Sequence, residues 1–453
     1  MDEQTRTALH AKYVIPAAYR LLGDRRLRLV AALMERDSWT REQARAHQAG
    51  RLEWLFDIAA RHNPYWSAEF QKHGLNPRGS DPFAELAKLP VLTKDEVRAN
   101  WRQMRSMHLP DFATILDTSS GSTGMPITVH HSRTYRELHA AMMYRVRAWM
   151  GLRTGEPILT VRADSGHMTL KKKLLRAMRK RVERETLIDA FRLNPATLKR
   201  RLARISADGP AAIFGYVTAV ATIARLSRQH DISWPSVRAV ATSSEPLREA
   251  DRALLCETFG ARVFDRYGSR EVLSISMECD HGSHHIFADC NVVEFEPVPG
   301  STGLHHVVVT PLDNDAMPMF RYRNGDTASA VAGACACGRT SPLMTACEGR
   351  VCNNFVTRDG RLVHGVYFAF FFNYCELFRS FQFRQTSHEN IDLLVVPEGR
   401  YGPDHEAFLE RCRRRIREDY NGAFQVHTRI VDEIPRTQTG KHLYTISDVL
   451  RNV

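Results

Sequence analysis

The sequence predicts an α/β protein in which a large body with mixed or parallel sheets precedes a small α+β domain. The length of 453 residues corresponds to about three domain-sized units. From about Ile115 onward, short β-rich runs alternate with helical stretches, which is typical of a largely parallel sheet. A separate βαβ pattern follows Arg350. An apolar content of 43% is enough to bury a sizeable core.

Residues 1–110 are predicted to be mostly helical. Thr40 with Gln43, and Thr93 with Glu96, have the spacing of capping boxes, in which two side chains satisfy the free N–H groups at a helix start. Periodic apolar residues follow each pair, so each pair marks a helix N-terminus.

The β-rich runs of the body are ATILDTSS, AAIFGYV, SVRAVATSS, ARVFDRYGS and HHVVVTPL. We assign residues 1–349 to this N-terminal domain. After a hinge at residues 350–353, the small C-terminal domain covers residues 350–453. It contains two apolar runs, IDLLVVPE and FQVHTRIVDEI, on either side of the helical pattern DHEAFLERCRRRIREDY. This order predicts two strands joined by a helix.

The sequence predicts a cytoplasmic protein. No run reaches the roughly 18 apolar residues that a membrane span needs, and the N-terminal MDEQTRTALHAK lacks the apolar core of a secretory signal. The nine cysteines are an odd number and are scattered through a long chain. This pattern argues against a disulfide framework and favours a reducing compartment.

The formal net charge of +12 favours anionic partners without choosing among them. The most basic stretch is KKKLLRAMRKRVERE, where Leu174, Leu175, Met178 and Val182 recur at helical spacing. We interpret it as an amphipathic helix with a solvated cationic face, in preference to a nucleic-acid or membrane role. RCRRRIRED, near Arg411, has the same interpretation, and no nucleic-acid partner is expected.

One polar segment, DTSSGSTGMP at residues 117–126, follows an apolar run. Glycines let a backbone approach a ligand closely, and backbone amides and hydroxyls donate to phosphate oxygens. The segment lacks the Gly-Lys-Ser/Thr ending of a Walker loop. Taken alone, it fits phosphate binding and an ordinary polar turn about equally.

Three further segments place polar or aromatic groups after predicted strands, where open α/β sheets bind ligands. They are ATSSEPL, FDRYGSREV and MFRYRNGDTA. Tyr267 offers an aromatic face for a base, Glu271 a carboxylate for a cation, and Asp326 an acceptor for sugar hydroxyls in a strand-to-turn context. Each alone is more typical of a structural turn.

Taken in order, SSGSTGMP, SSEP, YGSRE, YRNGD, CACGR, EGR and PRTQTGK resemble the motifs of the adenylate-forming superfamily of acyl-CoA synthetases. The chain is most similar to the phenylacetate–CoA ligase family and its CapK-like branch, from LPVLTKDEVR to PRTQTGKHLY. The resemblance implies that ATP and Mg²⁺ activate a small carboxylic acid as an acyl-adenylate, which then passes to the thiol of coenzyme A.

Other outcomes stay open within the resemblance. The acyl group could pass to a carrier-protein thiol, an amine or a hydroxyl, or the chain could be a non-catalytic nucleotide-binding relative. The resemblance leaves the identity of the acid open. A homodimer is common among relatives.

The resemblance also implies roles for individual residues. The β- and γ-phosphates of ATP would lie among Ser119, Ser120, Gly121, Ser122, Thr123 and Gly124. The adenosine would lie among Ser244, Glu245, Pro246, Asp265, Tyr267, Gly268, Ser269, Asp326 and Arg350. Tyr216 and Ala241 would border the acid pocket.

The catalytic set implied in the same way is Lys441, Glu271 and Arg270. Lys441 would bridge the carboxylate and the α-phosphate, and Glu271 would hold Mg²⁺. Arg270 stands where relatives have Ser or Thr beside the α-phosphate, so it either binds phosphate or crowds the pocket. At the hinge, Cys352 follows where relatives commonly carry an acidic residue.

Cys279, His285, Cys335 and Cys337 form a predicted metal-ligand set. Three thiolates and one imidazole suit tetrahedral Zn²⁺, and four protein ligands make such a site structural. His281 and His284 compete for the histidine position. The alternative is a group of free thiols beside a surface histidine.

Overall fold

The computed structural model describes residues 3–118, 127–162, 170–190, 195–298, 305–347, 355–360, 362–363, 365–372, 375, 377–434 and 443–449. Within these ranges, none of the helices combines the length and the apolar character that crossing a bilayer requires.

The N-terminal part is helical. Its helices are α1 Glu3–Leu9, α2 Ile15–Leu21, α3 Arg26–Glu35, α4 Arg41–His62, α5 Pro64–Lys72, α6 Pro82–Ala87 and α7 Lys94–Asn100. A π-helical turn, His10–Val14, and a 3₁₀ turn, Arg36–Ser38, join some of them. Both predicted capping boxes are confirmed, at the starts of α4 and α7, where each threonine hydroxyl accepts a hydrogen bond from the backbone N–H three residues on.

Strands and helices alternate through the next two hundred residues, after a 3₁₀ turn at Asp111–Ala113. They are β1 Thr114–Thr118, β2 Thr128–Ser132, α8 Arg133–Trp149, β3 Ile158–Arg162, α9 Leu170–Val182, β4 Glu185–Asp189, α10 Pro195–Ala207, β5 Ala212–Tyr216, α11 Val217–Gln229, β6 Ala239–Ser243, α12 Glu249–Phe259, β7 Arg262–Ser269, β8 Leu273–Glu278, β9 His284–Ile286, β10 Asn291–Pro297, β11 His305–Pro311, β12 Tyr322–Thr327, β13 Ala330–Val331 and β14 Leu343–Met344.

The main sheet has nine strands in the order β13-β14-β9-β8-β7-β6-β5-β3-β4. Strands β3 to β7 run parallel, whereas β8, β9, β13 and β14 pair antiparallel. Successive side chains of a strand pack on opposite faces of the sheet. Val240 packs in a cluster with α11 and α12, and Ala241 packs in another with α8. Both faces of the parallel part are therefore covered, as such sheets require.

A three-stranded antiparallel sheet, β10-β11-β12, lies against the N-terminal helices. The indole N–H of Trp66 donates to the Pro318 carbonyl at 2.7 Å, and the backbone N–H of Leu92 donates to the Arg321 carbonyl at 3.0 Å. These bonds fix the start of β12, which carries the YRNGD motif, and that motif is therefore on a strand rather than at a turn.

The C-terminal elements are β15 Phe355–Val356, β16 Leu362–Val363, α13 Gly365–Ala369, a 3₁₀ turn Phe370–Phe372, β17 Phe378–Gln385, β18 Asn390–Pro397, α14 Pro403–Asp419, β19 Gln425–Ile430 and β20 Thr445–Ser447. Strands β17 to β20 form one sheet in the order β19-β18-β17-β20. Parallel β18 and β19, with α14 between them in the chain, confirm the predicted βαβ unit. A separate aromatic core, which includes Phe368, Phe372 and Phe383, stabilises this part.

The two basic segments both form helices, but they differ in packing. Helix α14 buries Leu409, Cys412 and Ile416, as the amphipathic pattern predicts. Helix α9 instead leaves 63% of Leu174 and 52% of Met178 exposed. The prediction of a buried apolar face was therefore wrong for these two side chains.

Candidate active site

The SSEP motif lies at the carboxyl edge of the parallel strands. Tyr216 ends β5 and is the register partner of Ser243, which ends β6. Ser244 then adopts a φ of 73°, a left-handed conformation that a non-glycine residue rarely takes. Strained backbone of this kind is concentrated at functional sites.

Glu245 is held by the start of α11. Its carboxylate accepts hydrogen bonds from the backbone N–H of Thr218 at 2.8 Å and from the Thr218 hydroxyl at 3.0 Å. A carboxylate at a helix N-terminus satisfies free N–H groups and interacts favourably with the helix dipole. The loop that carries Ser244 and Pro246 is thereby anchored to the neighbouring strand–helix unit.

Tyr267 and Asp326 meet although they lie on different sheets. The Tyr267 hydroxyl donates to Asp326 Oδ2 at 3.1 Å and accepts from Asn324 Nδ2 at 2.5 Å. Asn324 Oδ1 in turn accepts from the Asp326 backbone N–H at 3.0 Å. Burial and the charge of Asp326 raise the pKa of Tyr267 well above its ordinary value, so the phenol keeps its proton. The structure thus joins the predicted base-stacking residue to the predicted ribose acceptor.

Glu271 is a buried acid at the end of the YGSRE motif. Tyr322 lies two residues before Asn324 on β12, and its hydroxyl donates to Glu271 Oε1 at 3.4 Å. The Glu271 carbonyl accepts from His131 Nε2 at 3.1 Å, which ties β2 to the same motif. Burial lowers the pKa of His131 to about 4, so the ring is neutral at neutral pH. A buried carboxylate of this kind suits a hard divalent cation.

Arg270 reaches the strand that leads into the predicted phosphate loop. Its guanidinium lies 3.5 Å from Asp117 Oδ1 and donates to the Thr118 carbonyl at 3.3 Å. Arg136 lies 3.4 Å from the other oxygen of Asp117. Two guanidinium groups thus flank one carboxylate immediately before residue 119, and their combined charge exceeds that of Asp117, which favours a further anion nearby.

Gly268 is required by the turn that follows it. A Cβ on Gly268 would lie 2.1 Å from the Leu273 carbonyl oxygen, across the tight β7–β8 hairpin. Ser269 closes the same turn, because its hydroxyl accepts from the Val272 N–H at 3.3 Å. The tight turn sets the spacing between Tyr267 and Glu271.

Gly268→Ala is expected to lower the free energy of unfolding by at least about 2 kcal/mol, because the Leu273 carbonyl must move. Urea denaturation measures the change. The matched control is Gly50→Ala in α4, where a Cβ meets nothing within 4 Å. This control is expected to raise the free energy of unfolding by about 0.5–1 kcal/mol. Equal stabilities for the two variants would contradict the steric account.

Two further predicted residues, Asp265 and Ala241, are buried. The Asp265 carboxylate is 3.5 Å from His284 Nε2, and Ala241 lies inside a core cluster. The predicted residues outside the described ranges are Ser119, Ser120, Gly121, Ser122, Thr123, Gly124, Arg350, Cys352 and Lys441.

The four predicted metal ligands come together. The donor atoms of Cys279, His285, Cys335 and Cys337 all lie within 4.8 Å of one another. The sulfurs of Cys279 and Cys335 are 3.6 Å apart, close to the roughly 3.8 Å expected around one tetrahedral zinc ion. His285 Nε2 lies 3.2 Å from Cys337 Sγ, and its Nδ1 is 3.0 Å from the Ser341 hydroxyl. A partner on the second nitrogen orients an imidazole for ligation.

The competing histidines have other partners. His284 faces Asp265, and His281 Nδ1 lies 3.2 Å from Asp280 Oδ1. Burial lowers the pKa of His285 to about 4, so its ring is neutral, as a metal ligand must be. Burial raises the pKa of the Cys279 thiol to about 11, so a thiolate there needs a cation beside it.

Three residues of the site were not predicted from the sequence. Asn324 and Tyr322 share a strand face with Asp326, and the alternation in YRNGD was the signal that would have found them. Asp117 was part of a predicted motif, but its pairing with Arg270 spans more than 150 residues. No local pattern indicates such a contact.

The fold is that of the adenylate-forming CoA ligases. A solved structure of 2-hydroxyisobutyryl-CoA ligase in complex with 2-HIB-AMP and CoA matches with a TM-score of 0.62, 19% identity and 92% coverage of both chains. A second structure of the ligase, in the postadenylation state in complex with R3-HIB-AMP, matches with a TM-score of 0.58, the same identity and the same coverage.

The chain is similar in sequence to the phenylacetate–coenzyme A ligases. The enzyme of Thermus thermophilus is 25% identical over 345 residues, which are 73% of this chain and 74% of that enzyme. The Escherichia coli enzyme is 24% identical over 323 residues, or 68% and 71% of the two chains. Residues 355–448 match the family described as the CapK C-terminal domain.

Proposed function

We propose that this protein activates a carboxylic acid with ATP and transfers the acyl group to coenzyme A, in the manner of the phenylacetate–CoA ligases. The observation that carries the proposal is the contact between Tyr267 and Asp326. Residues 59 positions apart, which the resemblance assigns to the base and the ribose of one nucleotide, share a hydrogen bond. Glu271 and Arg270 continue from Tyr267 along the same hairpin.

The proposed roles of Glu271 and Arg270 follow from charge. A carboxylate that attacks the α-phosphate brings two anions together, so cations must offset the repulsion and the charge that develops in the transition state. We assign Mg²⁺ to Glu271 and phosphate binding to Arg270. The pairing of Arg270 with Asp117 and Thr118 supports this assignment, because it directs the guanidinium to the start of the phosphate loop.

The remaining roles rest on the resemblance. Lys441 would supply the mobile cation, and residues 119–124 with Arg350 would complete the nucleotide site. The anchored loop of Ser244 to Pro246 and the buried Asp265 would line the adenine, and Tyr216 would border the acid beside Ala241. We propose that the C-terminal domain rotates about residues 350–353 between the two half-reactions.

We also propose that the reaction takes place in the cytoplasm, where thiols stay reduced. None of the cysteines in the described ranges forms a disulfide, and the Cys279 and Cys335 sulfurs lie 3.6 Å apart. Coenzyme A is the favoured acceptor, because the relatives named above are CoA ligases. Transfer to a carrier protein and a homodimeric assembly stay predictions.

We propose Zn²⁺ as the structural ion of the Cys₃His cluster. The close approach of its four donor atoms, three of them sulfur, supports this choice. The residues that would hold it are Cys279, His285, Cys335 and Cys337. The ion would join the β8–β9 turn to the segment after β13. It would thereby stabilise the strands next to β7, which carries Tyr267, and next in the chain to β12, which carries Asp326.

Cys335→Ser is expected to reduce bound zinc from about one ion per chain to below about 0.1, because a hydroxyl is a poor zinc ligand. It is also expected to lower the thermal unfolding midpoint. Elemental analysis of the purified chain measures the first effect and calorimetry the second. Cys256→Ser, which changes a thiol outside the cluster, is the control and should keep both values. Equal zinc contents in the two variants would refute the site.

The experiment that tests the proposed function is ATP–pyrophosphate exchange with a panel of aryl, branched and hydroxylated acids. We expect exchange that depends on one class of acid, followed by thioester formation when coenzyme A is added. If the protein binds ATP but no acid supports exchange, the chain is a non-catalytic relative and the proposal fails.

A further inference from the structure

Helix α9 presents a cationic face that also carries large apolar side chains. Seven of its thirteen residues are Lys or Arg, and none is acidic. Leu174 is 63% exposed and Met178 is 52% exposed. Exposed aliphatic side chains among cations make this helix unlike a purely solvated basic surface.

Of the six exposed residues between Lys173 and Val182, five lie on one side of α9, and the sixth, Arg179, lies outside that side. At 100° per residue, Lys173, Ala177, Arg181, Leu174 and Met178 fall, in that order, within an arc of about 140°. The half-buried Leu175 and Val182 lie outside this arc. These four apolar side chains form one face of about 100°, and its Leu174 and Met178 edge is exposed whereas its Val182 and Leu175 edge is half-buried.

Helix α14 provides an internal comparison. It is also basic, with five arginines, but its Leu409, Cys412 and Ile416 are buried. Its arginines pair with acids of the same helix, including Arg413 with Glu410 at 2.9 Å and Arg415 with Asp419 at 2.8 Å. Charges paired within one helix and a buried apolar stripe suit contact with water alone, whereas α9 itself contains no acidic residue and its Leu175 and Val182 are only half-buried.

The N-terminal helices extend the α9 surface. His10 Nε2 is 2.7 Å from the Val182 carbonyl, and Arg179 lies 3.6 Å from Asp24. Next to these contacts, Leu21 is 88% exposed and Tyr13 is 57% exposed. Exposed apolar groups are thus found on both segments that meet at this corner of the protein.

We propose that α9 and the adjoining N-terminal helices bind the surface of an anionic lipid bilayer. Leu174 and Met178 would enter the boundary between head groups and acyl chains, and the lysines and arginines would lie at the lipid phosphates. An apolar stripe flanked by cations matches this interface. Nucleic acid fits the surface less well, because aliphatic side chains neither stack on bases nor hydrogen-bond to them.

The test is co-sedimentation of the full chain with phosphatidylcholine vesicles, with and without phosphatidylglycerol. We expect binding only to the anionic vesicles, and weaker binding as the salt concentration rises. The double variant Leu174→Ser and Met178→Ser is expected to bind the anionic vesicles at least about tenfold more weakly. Both side chains are exposed, so the fold and the acid-activating reaction should not change.

Met107→Ser is the matched control, because Met107 is 76% exposed and lies far along the chain from α9. It should bind vesicles as the unaltered protein does. Three results would overturn the proposal. They are no binding to anionic vesicles, binding that the double variant retains in full, and tighter binding to a single-stranded oligonucleotide than to the vesicles.

Discussion

Replacing Lys441 by alanine is expected to lower acid-dependent ATP–pyrophosphate exchange by about 10³-fold. The acid and the α-phosphate are both anionic, and an ammonium group placed between them stabilises the transition state more than the separated reactants. Lysine suits this role because it is a compact charge on a flexible stem. We propose that the C-terminal segment that carries it leaves after adenylation.

The control for this variant is Lys199→Ala, which removes an exposed ammonium group from α10. It should leave the exchange rate unchanged. Lys441→Ala should still convert a preformed acyl-adenylate and coenzyme A to the thioester, because we assign the lysine to the first half-reaction. Loss of both half-reactions with an intact fold would contradict this division of roles.

Asp326→Ala is expected to raise the KM for ATP by about 10–100-fold. The carboxylate would accept charge-assisted hydrogen bonds from the ribose, and one such bond contributes a net of about 1.5–3 kcal/mol. The kcat should fall less, because we assign Asp326 to the ribose and not to the reacting phosphorus. Steady-state exchange at varied ATP concentrations separates the two parameters.

Two further variants serve as comparisons for Asp326→Ala. Tyr267→Phe keeps the ring but removes the hydroxyl that donates to Asp326 Oδ2, so it should raise the KM by only about fivefold. Asp208→Ala removes an exposed carboxylate elsewhere and should have no effect. A larger effect for Tyr267→Phe than for Asp326→Ala would show that the carboxylate is not the ribose acceptor.

Much of the fold could be predicted from sequence patterns that extend over only a few residues. The capping boxes at Thr40 and Thr93 and the βαβ unit around α14 depend on residues a few positions apart, and the structure confirms them. The four metal-ligand candidates were also predictable, because thiol and imidazole spacing is a strong signal even across some fifty residues.

Contacts between distant segments were not predictable. The hydrogen bonds of Glu245 to Thr218, and the pairing of Asp117 with Arg270, depend on how strands and helices pack. The same limit explains α9. Its apolar spacing predicts a helix, but whether a given stripe faces the protein or the solvent depends on neighbouring elements that periodicity does not describe.

The most direct measurement is a crystal structure of the protein soaked with AMP. Our account predicts the base against the Tyr267 ring, both ribose hydroxyls within about 3 Å of the Asp326 carboxylate, and the phosphate beside Arg270. A nucleotide bound at another place, with the Tyr267–Asp326 pair untouched, would contradict the claim that these segments form one adenylating site.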